Sequence, residues 1–168
     1  VLAVGNPFGL GGTVTTGIVS ARGREIGAGP YDDFIQIDAS INRGNSGGPT
    51  FDVHGNVVGV NTAIYSPTGG SVGIGFAIPS SIAERVISQL KNDGKVTRGW
   101  LGVTIQQVDD ELAASLGLDK ARGALVAQVA KDSPAENSGI RAGDVIVNIN
   151  GKEMEDVRAV SRTVADLQ

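Results

Sequence analysis

The sequence predicts a mainly β protein, with a β barrel or sandwich over residues 1–79 and a smaller segment of mixed α and β structure after it. Short β-branched runs recur through 1–79, separated by Gly, Pro, Asn and Asp clusters and with no helix pattern between them. Glycine accounts for 25 of the 168 residues, which indicates many turns rather than long helices. Beyond residue 99, strand-like runs alternate with short amphipathic segments.

Apolar, β-branched runs predict four strands in the first part, at Thr13–Ser20, Phe34–Ala39, Gly55–Ala63 and Gly73–Ile78. The segment Asp52–Asn56 stands between two such runs and predicts a hairpin turn, because Gly and Asn tolerate unusual φ values.

The first helix is expected directly after these strands. Ser81 and Glu84 fit a capping box, in which each side chain accepts from a free backbone N–H. A four-residue spacing of apolar side chains predicts one buried stripe, formed by Ile82, Val86 and Leu90. We therefore expect a first domain over 1–91, a polar linker over 92–99 and a second domain over 100–168.

In the second domain the same reasoning predicts strands and helices in alternation. Ser133 and Pro134 suit the first positions of a short helix, and Gly139 suits its end. Asn150-Gly151 predicts a turn after a strand. The remaining elements are expected at Trp100–Ile105, Glu111–Leu116, Ala124–Val129, Asp144–Ile149 and Val157–Leu167.

The most specific chemical signal is the hexapeptide Gly44-Asn45-Ser46-Gly47-Gly48-Pro49. Glycines let such a turn bend sharply and present the Ser46 hydroxyl outward. The same turn can direct the backbone N–H groups of Gly44 and Ser46 into one pocket, where they would bind a developing oxyanion. Taken alone, the hexapeptide is equally compatible with a plain glycine-rich turn.

The hexapeptide resembles the G-D-S-G-G-P nucleophile loop of chymotrypsin-fold serine proteases. Together with its flanking runs it is similar to the HtrA (DegP-like) family; these runs are Val4–Gly9, Phe34–Ala39, Val57–Ile64 and Gly73–Pro79. The segment Ser133–Gly151 resembles a PDZ domain of the kind appended to HtrA proteases. The resemblance implies the second six-stranded barrel of a chymotrypsin-like (trypsin-like) protease domain, followed by a partial α+β PDZ domain truncated at its C-terminus.

Residue by residue, the resemblance implies a serine endopeptidase that hydrolyses unfolded proteins through an acyl-enzyme on Ser46. Gly44, Asn45 and Ser46 would form the oxyanion hole. An apolar specificity pocket, which would favour cleavage after small aliphatic residues, is implied at Ile41, Tyr65 and Ile74, although Ile41 and Ile74 are also compatible with ordinary core positions. Substrate backbone would pair along Thr62, Ala63 and Ile64. Arg24 would be a contact of the regulatory loop, although a solvated arginine is equally compatible.

In the second domain, the resemblance implies that peptide C-termini bind a carboxylate loop formed by Trp100, Leu101, Gly102 and Val103. Trp100 could equally anchor the linker. The resemblance further implies a trimer-based homo-oligomer, a role in protein quality control and a periplasmic setting.

A serine nucleophile needs a neighbouring base, usually a histidine oriented by a carboxylate. The chain contains one histidine, His54, in the predicted hairpin turn eight residues after Ser46. We expect His54 to be a solvated turn residue, and the catalytic His and Asp to lie upstream of Val1. These 168 residues alone are then expected to be inactive. The alternatives are a non-catalytic peptide-binding or chaperone module and an inactive protease fragment.

Composition excludes several other classes. The chain has 14 basic and 18 acidic residues, a formal net charge of −4 and no block of like charges, so nucleic acid is a poor partner. It has no cysteine, which excludes disulfides and a cysteine nucleophile. No apolar run approaches the roughly 18 residues that span a bilayer. We expect no metal site and no cofactor.

Overall fold

The computed structural model describes residues 1–167 and divides the chain into two compact units, with the boundary in the sequence between Val96 and Thr97. The first unit contains seven strands, one α-helix and a short 3₁₀ helix at Pro7–Gly9. The strands and the α-helix are β1 (Leu2–Gly5), β2 (Thr13–Thr16), β3 (Val19–Arg24), β4 (Phe34–Ile37), β5 (Pro49–Phe51), β6 (Val57–Ile64), β7 (Gly75–Pro79) and α1 (Ser80–Asp93). The second contains β8 (Val103–Gln107), α2 (Asp110–Ser115), β9 (Ala124–Val129), α3 (Pro134–Asn137), β10 (Val145–Ile146), β11 (Asn148–Ile149), β12 (Lys152–Glu153) and α4 (Val157–Asp166).

The first unit is one antiparallel sheet of seven strands, in the order β2-β1-β5-β6-β7-β4-β3. Its core is formed by Ala3, Ile37, Ala39 and Ile41, each at most 2% exposed. The mainly β prediction is therefore confirmed. The pairings among residues 1–167 do not join β2 to β3, so a closed six-stranded barrel stays a prediction.

The prediction of one continuous strand over Thr13–Ser20 is wrong, because the strand is interrupted at Gly17 and Ile18 and two strands, β2 and β3, form instead. A Cβ atom on Gly17 would lie 2.3 Å from the backbone nitrogen of Ala39. The close approach requires a residue without a side chain at this point. The break lets β2 pair with β1 and β3 pair with β4, so that the two strands lie at opposite ends of the sheet order.

Helix α1 confirms the predicted helix but corrects two of its details. The helix begins at Ser80 after Pro79, without a side-chain cap, so the predicted capping box does not form. None of its residues is buried, and Leu90 is 48% exposed, so the predicted stripe is at most half-buried. Gly94 ends the helix in the left-handed conformation, and its N–H donates to Leu90 C=O at 3.1 Å.

The second unit has a three-stranded sheet in the order β10-β9-β8 and a separate β11-β12 hairpin. Its core contains Ala124, Met154 and Val160. The predicted strand Trp100–Ile105 begins later, at Val103, because the Leu101 carbonyl accepts from Ala135 N–H, at the start of α3. The predicted strand Asp144–Ile149 is divided between β10 and β11, which pair with different strands.

In the second unit, residue types that favour turns and helix caps stand at the turns and caps of the structure. Ser133 caps α3, and its hydroxyl accepts from Glu136 N–H at 3.2 Å. The Asn150-Gly151 turn joins β11 to β12, and both residues have positive φ. Asp109 caps α2 by accepting from Leu112 N–H.

Candidate active site

The nucleophile loop, residues 43–48, lies between β4 and β5 and is attached to β6 by backbone hydrogen bonds. Gly47 N–H donates to Asn61 C=O at 2.8 Å, and Asn61 N–H donates to Gly48 C=O at 2.8 Å. Ser46 is exposed, and its hydroxyl donates to Thr62 C=O at 2.9 Å. The loop thus presents an exposed hydroxyl that is hydrogen-bonded to β6.

Glycine at 44 is required by both conformation and space. Gly44 has φ +103°, and a Cβ atom there would lie 2.3 Å from Asn6 C=O. At Gly48 only space is limiting, since a Cβ atom would lie 2.1 Å from Val4 C=O. The backbone of β1 and of the turn after it therefore packs directly against the nucleophile loop.

The N–H groups of Gly44 and Ser46 are free, since neither donates a hydrogen bond to another described residue. The carbonyl preceding each of them is engaged: Phe8 N–H donates to Arg43 C=O at 2.9 Å, and Gly48 N–H donates to Asn45 C=O at 3.0 Å. In a planar trans peptide the N–H points opposite to the C=O. These two bonds therefore constrain the directions of both free N–H groups.

Asn45 holds the loop from the inside. It is 1% exposed, and its Nδ2 donates a long hydrogen bond of 3.5 Å to Ser40 C=O. Its Oδ1 has no donor among residues 1–167. Asn45 also packs against Gly5, where a Cβ atom would lie 2.6 Å from the Asn45 Cα.

The predicted substrate-pairing segment, Thr62, Ala63 and Ile64, has an open side next to Ser46. Within the described pairings, β5 reaches β6 only as far as Val60, whereas β7 pairs with Ala63 and Ile64 on the other side. The register of β6 against β7 shifts between Asn61 and Ala63. Such a bulge re-aims the backbone locally, and here it occurs at the residue whose carbonyl accepts from Ser46.

The three predicted pocket residues have different environments. Ile41 is 2% exposed and belongs to the core cluster with Ala3, Ile37 and Ala39, and half-buried Ile64 packs against this cluster. Tyr65 is 63% exposed, and its N–H donates to the carbonyl of half-buried Ile74 at 3.0 Å. Tyr65 and Ile74 are thus neighbours at the open end of the β6–β7 pair.

His54 lies in the turn between β5 and β6, at the other end of β5 from Ser46. Its backbone N–H donates to Asp52 Oδ1 at 2.8 Å, and the residue is exposed. Hydrogen bonds from the Asn56 side chain and backbone, and from His54 N–H, hold the pKa of Asp52 below its usual value. This turn is therefore a self-contained hairpin connection.

Arg24 lies at the end of β3, where its Nε donates to Gln36 Oε1 at 2.8 Å. The loop that follows it is held by Asp32. Asp32 Oδ2 accepts from Ile26 N–H and Ala28 N–H, each at 2.9 Å. Burial acts to raise the pKa of Asp32, but the hydrogen bonds from the loop N–H groups outweigh burial and lower the pKa.

In the second unit, Trp100 is 64% exposed, and Gly102 packs so closely on Ser133 that a Cβ atom would lie 2.3 Å from the Ser133 Cβ. Leu101 C=O accepts from Ala135 N–H at 2.9 Å, and Gly102 C=O accepts from Ala130 N–H at 2.8 Å. The N–H groups of the following residues therefore point away from these partners. Val103 begins β8, which is an edge strand of its sheet.

Other kinds of site were also sought along residues 1–167. They contain no group of three or more His, Asp or Glu side chains that could hold a metal ion. No helix in this part of the chain is long and apolar enough to cross a membrane.

Two family models match the chain: a trypsin-like peptidase domain over residues 1–60 and a PDZ domain over residues 89–167. A probable periplasmic serine endoprotease DegP-like of Brucella suis is 64% identical over 167 residues, 99% of this chain and 33% of that protein. The protein of the same description from Rhizobium meliloti is 61% identical over 168 residues, all of this chain and 33% of that protein. The chain thus spans about a third of the length of these curated relatives.

Solved structures give the same family. The HtrA-type protease AlgW with a tripeptide is 52% identical with a TM-score of 0.85, over 98% of this chain and 55% of that one. AlgW with a decapeptide is 51% identical with a TM-score of 0.82, over 99% of this chain and 52% of that one. The nucleophile loop, the two domain matches and these relatives agree, and the chain belongs to the HtrA family of DegP-like serine proteases.

Proposed function

We propose that this chain forms the nucleophile-bearing part of a serine endopeptidase. The observation that carries the proposal is the exposed Ser46 hydroxyl beside the two free N–H groups of Gly44 and Ser46. Ser46 Oγ would attack the carbonyl carbon of a peptide bond, and the N–H groups would stabilise the oxyanion that forms. The amine then leaves with a proton, and water hydrolyses the acyl-enzyme.

The base that takes the Ser46 proton is proposed to come from outside these 168 residues. His54 is separated from Ser46 by β5 and is engaged in its own turn. In the present structure the hydroxyl proton is directed at Thr62 C=O. A histidine from another part of the protease domain, oriented by a carboxylate, would have to compete with that carbonyl for the proton.

Substrate backbone is proposed to pair along the open side of Thr62, Ala63 and Ile64, a form of β-augmentation that needs no particular sequence. Such pairing suits unfolded polypeptides. Ile41, Tyr65 and Ile74 would provide an apolar pocket for a small aliphatic side chain. Arg24 would act in regulation, through its position at the start of the loop that Asp32 holds.

Peptide C-termini are proposed to bind at Trp100–Val103 and to extend β8 at its edge. The AlgW structures described above are with a decapeptide and with a tripeptide, which supports peptide binding by this chain. The relatives described as periplasmic support a periplasmic location. We further propose a trimer-based homo-oligomer, as the family resemblance implies, with a role in protein quality control.

A fluorophosphonate serine probe tests this proposal on the natural protein that contains the chain, with intact mass recorded in the same experiment. We expect one adduct, on Ser46, in a protein heavier than 17.1 kDa, and none in a Ser46→Ala variant. The rival function is a peptide-binding or chaperone module without cleavage, which the remote position of His54 favours. An unlabelled Ser46 in the folded natural protein would decide for this rival.

A further inference from the structure

Asn61 is a polar residue in the middle of the apolar strand β6, and the peptidase chemistry described above does not use it. Its side chain is 1% exposed. A buried amide in a strand is unfavourable unless its hydrogen-bonding groups are satisfied. The partners of Asn61 therefore indicate why this residue stands at this position.

The side chain of Asn61 joins three segments of the first unit. Its Nδ2 donates to Val4 C=O of β1 at 3.0 Å and to Pro49 C=O of β5 at 3.4 Å. Its Oδ1 accepts from the Thr50 hydroxyl at 2.6 Å, and Thr50 is itself 1% exposed. Both acceptor and donor functions of the amide are thus used inside the sheet.

The backbone of the same residue holds the nucleophile loop, through Gly47 N–H and Gly48 C=O, each at 2.8 Å. The next residue, Thr62, accepts from the Ser46 hydroxyl. Asn61 pairs with Ala77 of β7, but the register shifts between Asn61 and Ala63, so the regular ladder with β7 is interrupted directly after Asn61. The side-chain amide of Asn61 adds restraints to β1 and β5 at this point.

We propose that Asn61 is a positioning residue, whose buried amide fixes the backbone that sets Ser46 against the Thr62–Ile64 edge. The inference that Asn61 matters for catalysis rests on the proposed peptidase function. For the Ser46 hydroxyl to attack a substrate paired along Thr62–Ile64, Ser46 and this edge must keep a fixed relative position. The hydrogen-bond pattern itself is independent of that function.

The test uses the natural protein with three variants. Asn61→Leu removes every hydrogen bond of the Asn61 side chain and keeps a similar side-chain volume. Thr50→Val removes only the hydrogen bond from the Thr50 hydroxyl to Asn61 Oδ1. Asn92→Leu makes the same chemical change at an exposed position near the end of α1 and serves as the control. Two quantities are measured: hydrogen–deuterium exchange of the Gly47 amide, and the second-order rate constant of fluorophosphonate labelling.

In Asn61→Leu we expect Gly47 to exchange at least tenfold faster than in wild type, while β7 amides change less than twofold. Labelling should slow at least tenfold in the folded protein. Thr50→Val should change both quantities in the same direction but less, and it keeps the test available if Asn61→Leu does not fold. Asn92→Leu should change neither.

The proposal is overturned if Gly47 exchange rises only in proportion to exchange throughout the sheet, because that result describes general destabilisation. It is also overturned if wild type is labelled and Asn61→Leu is labelled equally fast. An unlabelled wild type would instead count against the peptidase function. In that case the Gly47 exchange alone decides whether Asn61 holds the loop.

Discussion

Replacing Gly44 by alanine should destabilise the first unit far more than the same change at Gly47. Both glycines have positive φ, +103° and +87°, but a Cβ atom at 47 would meet nothing within 4 Å. At 44 it would lie 2.3 Å from Asn6 C=O and 3.1 Å from the Phe8 nitrogen. Comparing Gly44→Ala with Gly47→Ala therefore separates the cost of steric overlap from the cost of backbone strain.

The magnitudes follow from these two terms. A non-glycine residue in the left-handed conformation costs about 1–2 kcal/mol of backbone strain. We expect Gly47→Ala to lower the free energy of unfolding by this amount and no more. At Gly44 the same strain of about 1–2 kcal/mol and an overlap of about 1–3 kcal/mol act together, giving about 2–5 kcal/mol. Gly70→Ala, with ordinary φ and open space, should be neutral or stabilise by up to about 1 kcal/mol.

Urea unfolding followed by far-UV circular dichroism measures these losses in the free energy of unfolding. Trp100 fluorescence follows the second unit in the same samples, because Trp100 is the only tryptophan in the chain. A Gly44→Ala loss no larger than that of Gly47→Ala would refute the reasoning, since it would mean that the loop does not pack on Asn6 as described.

Two further predictions concern the loop that follows Arg24 and the proposed carboxylate loop at Trp100–Val103. The pKa of Asp32 is lowered in the folded state, so its contribution to stability is present above the unfolded value of 3.8 and is lost as pH falls through the lower folded value. Asp32→Asn should therefore be less stable than wild type at pH 7 and depend less on pH below 3.8; equal acid-unfolding curves would contradict this. Peptides ending in a free carboxylate should shift Trp100 fluorescence and bind at least about tenfold more tightly, about 1.4 kcal/mol, than C-terminally amidated peptides. Equal affinity of the two peptides would exclude the proposed loop.

Local sequence signals were sufficient for many elements. Strand Ala124–Val129 has its predicted bounds, and Ser133 caps α3 as its position before Pro134 predicts. These features depend on residues close together in the chain, so periodicity and cap chemistry are enough to predict them. The hexapeptide around Ser46 likewise determined the position and chemistry of the proposed nucleophile, and with it the family.

Only the tertiary structure decided the features that depend on residues distant in sequence. The strand is interrupted at Gly17, where Asp38 and Ala39 pack closely against the backbone, and no local sequence pattern predicts that contact. Asn61 reaches Val4 across 57 positions of the chain, and the directions of the Gly44 and Ser46 N–H groups depend on partners elsewhere in the loop and in the turn after β1. The sequence by itself determined which residues could do the chemistry. Their placement required the fold, because close packing and hydrogen-bond partners are set by contacts that only the folded chain brings together.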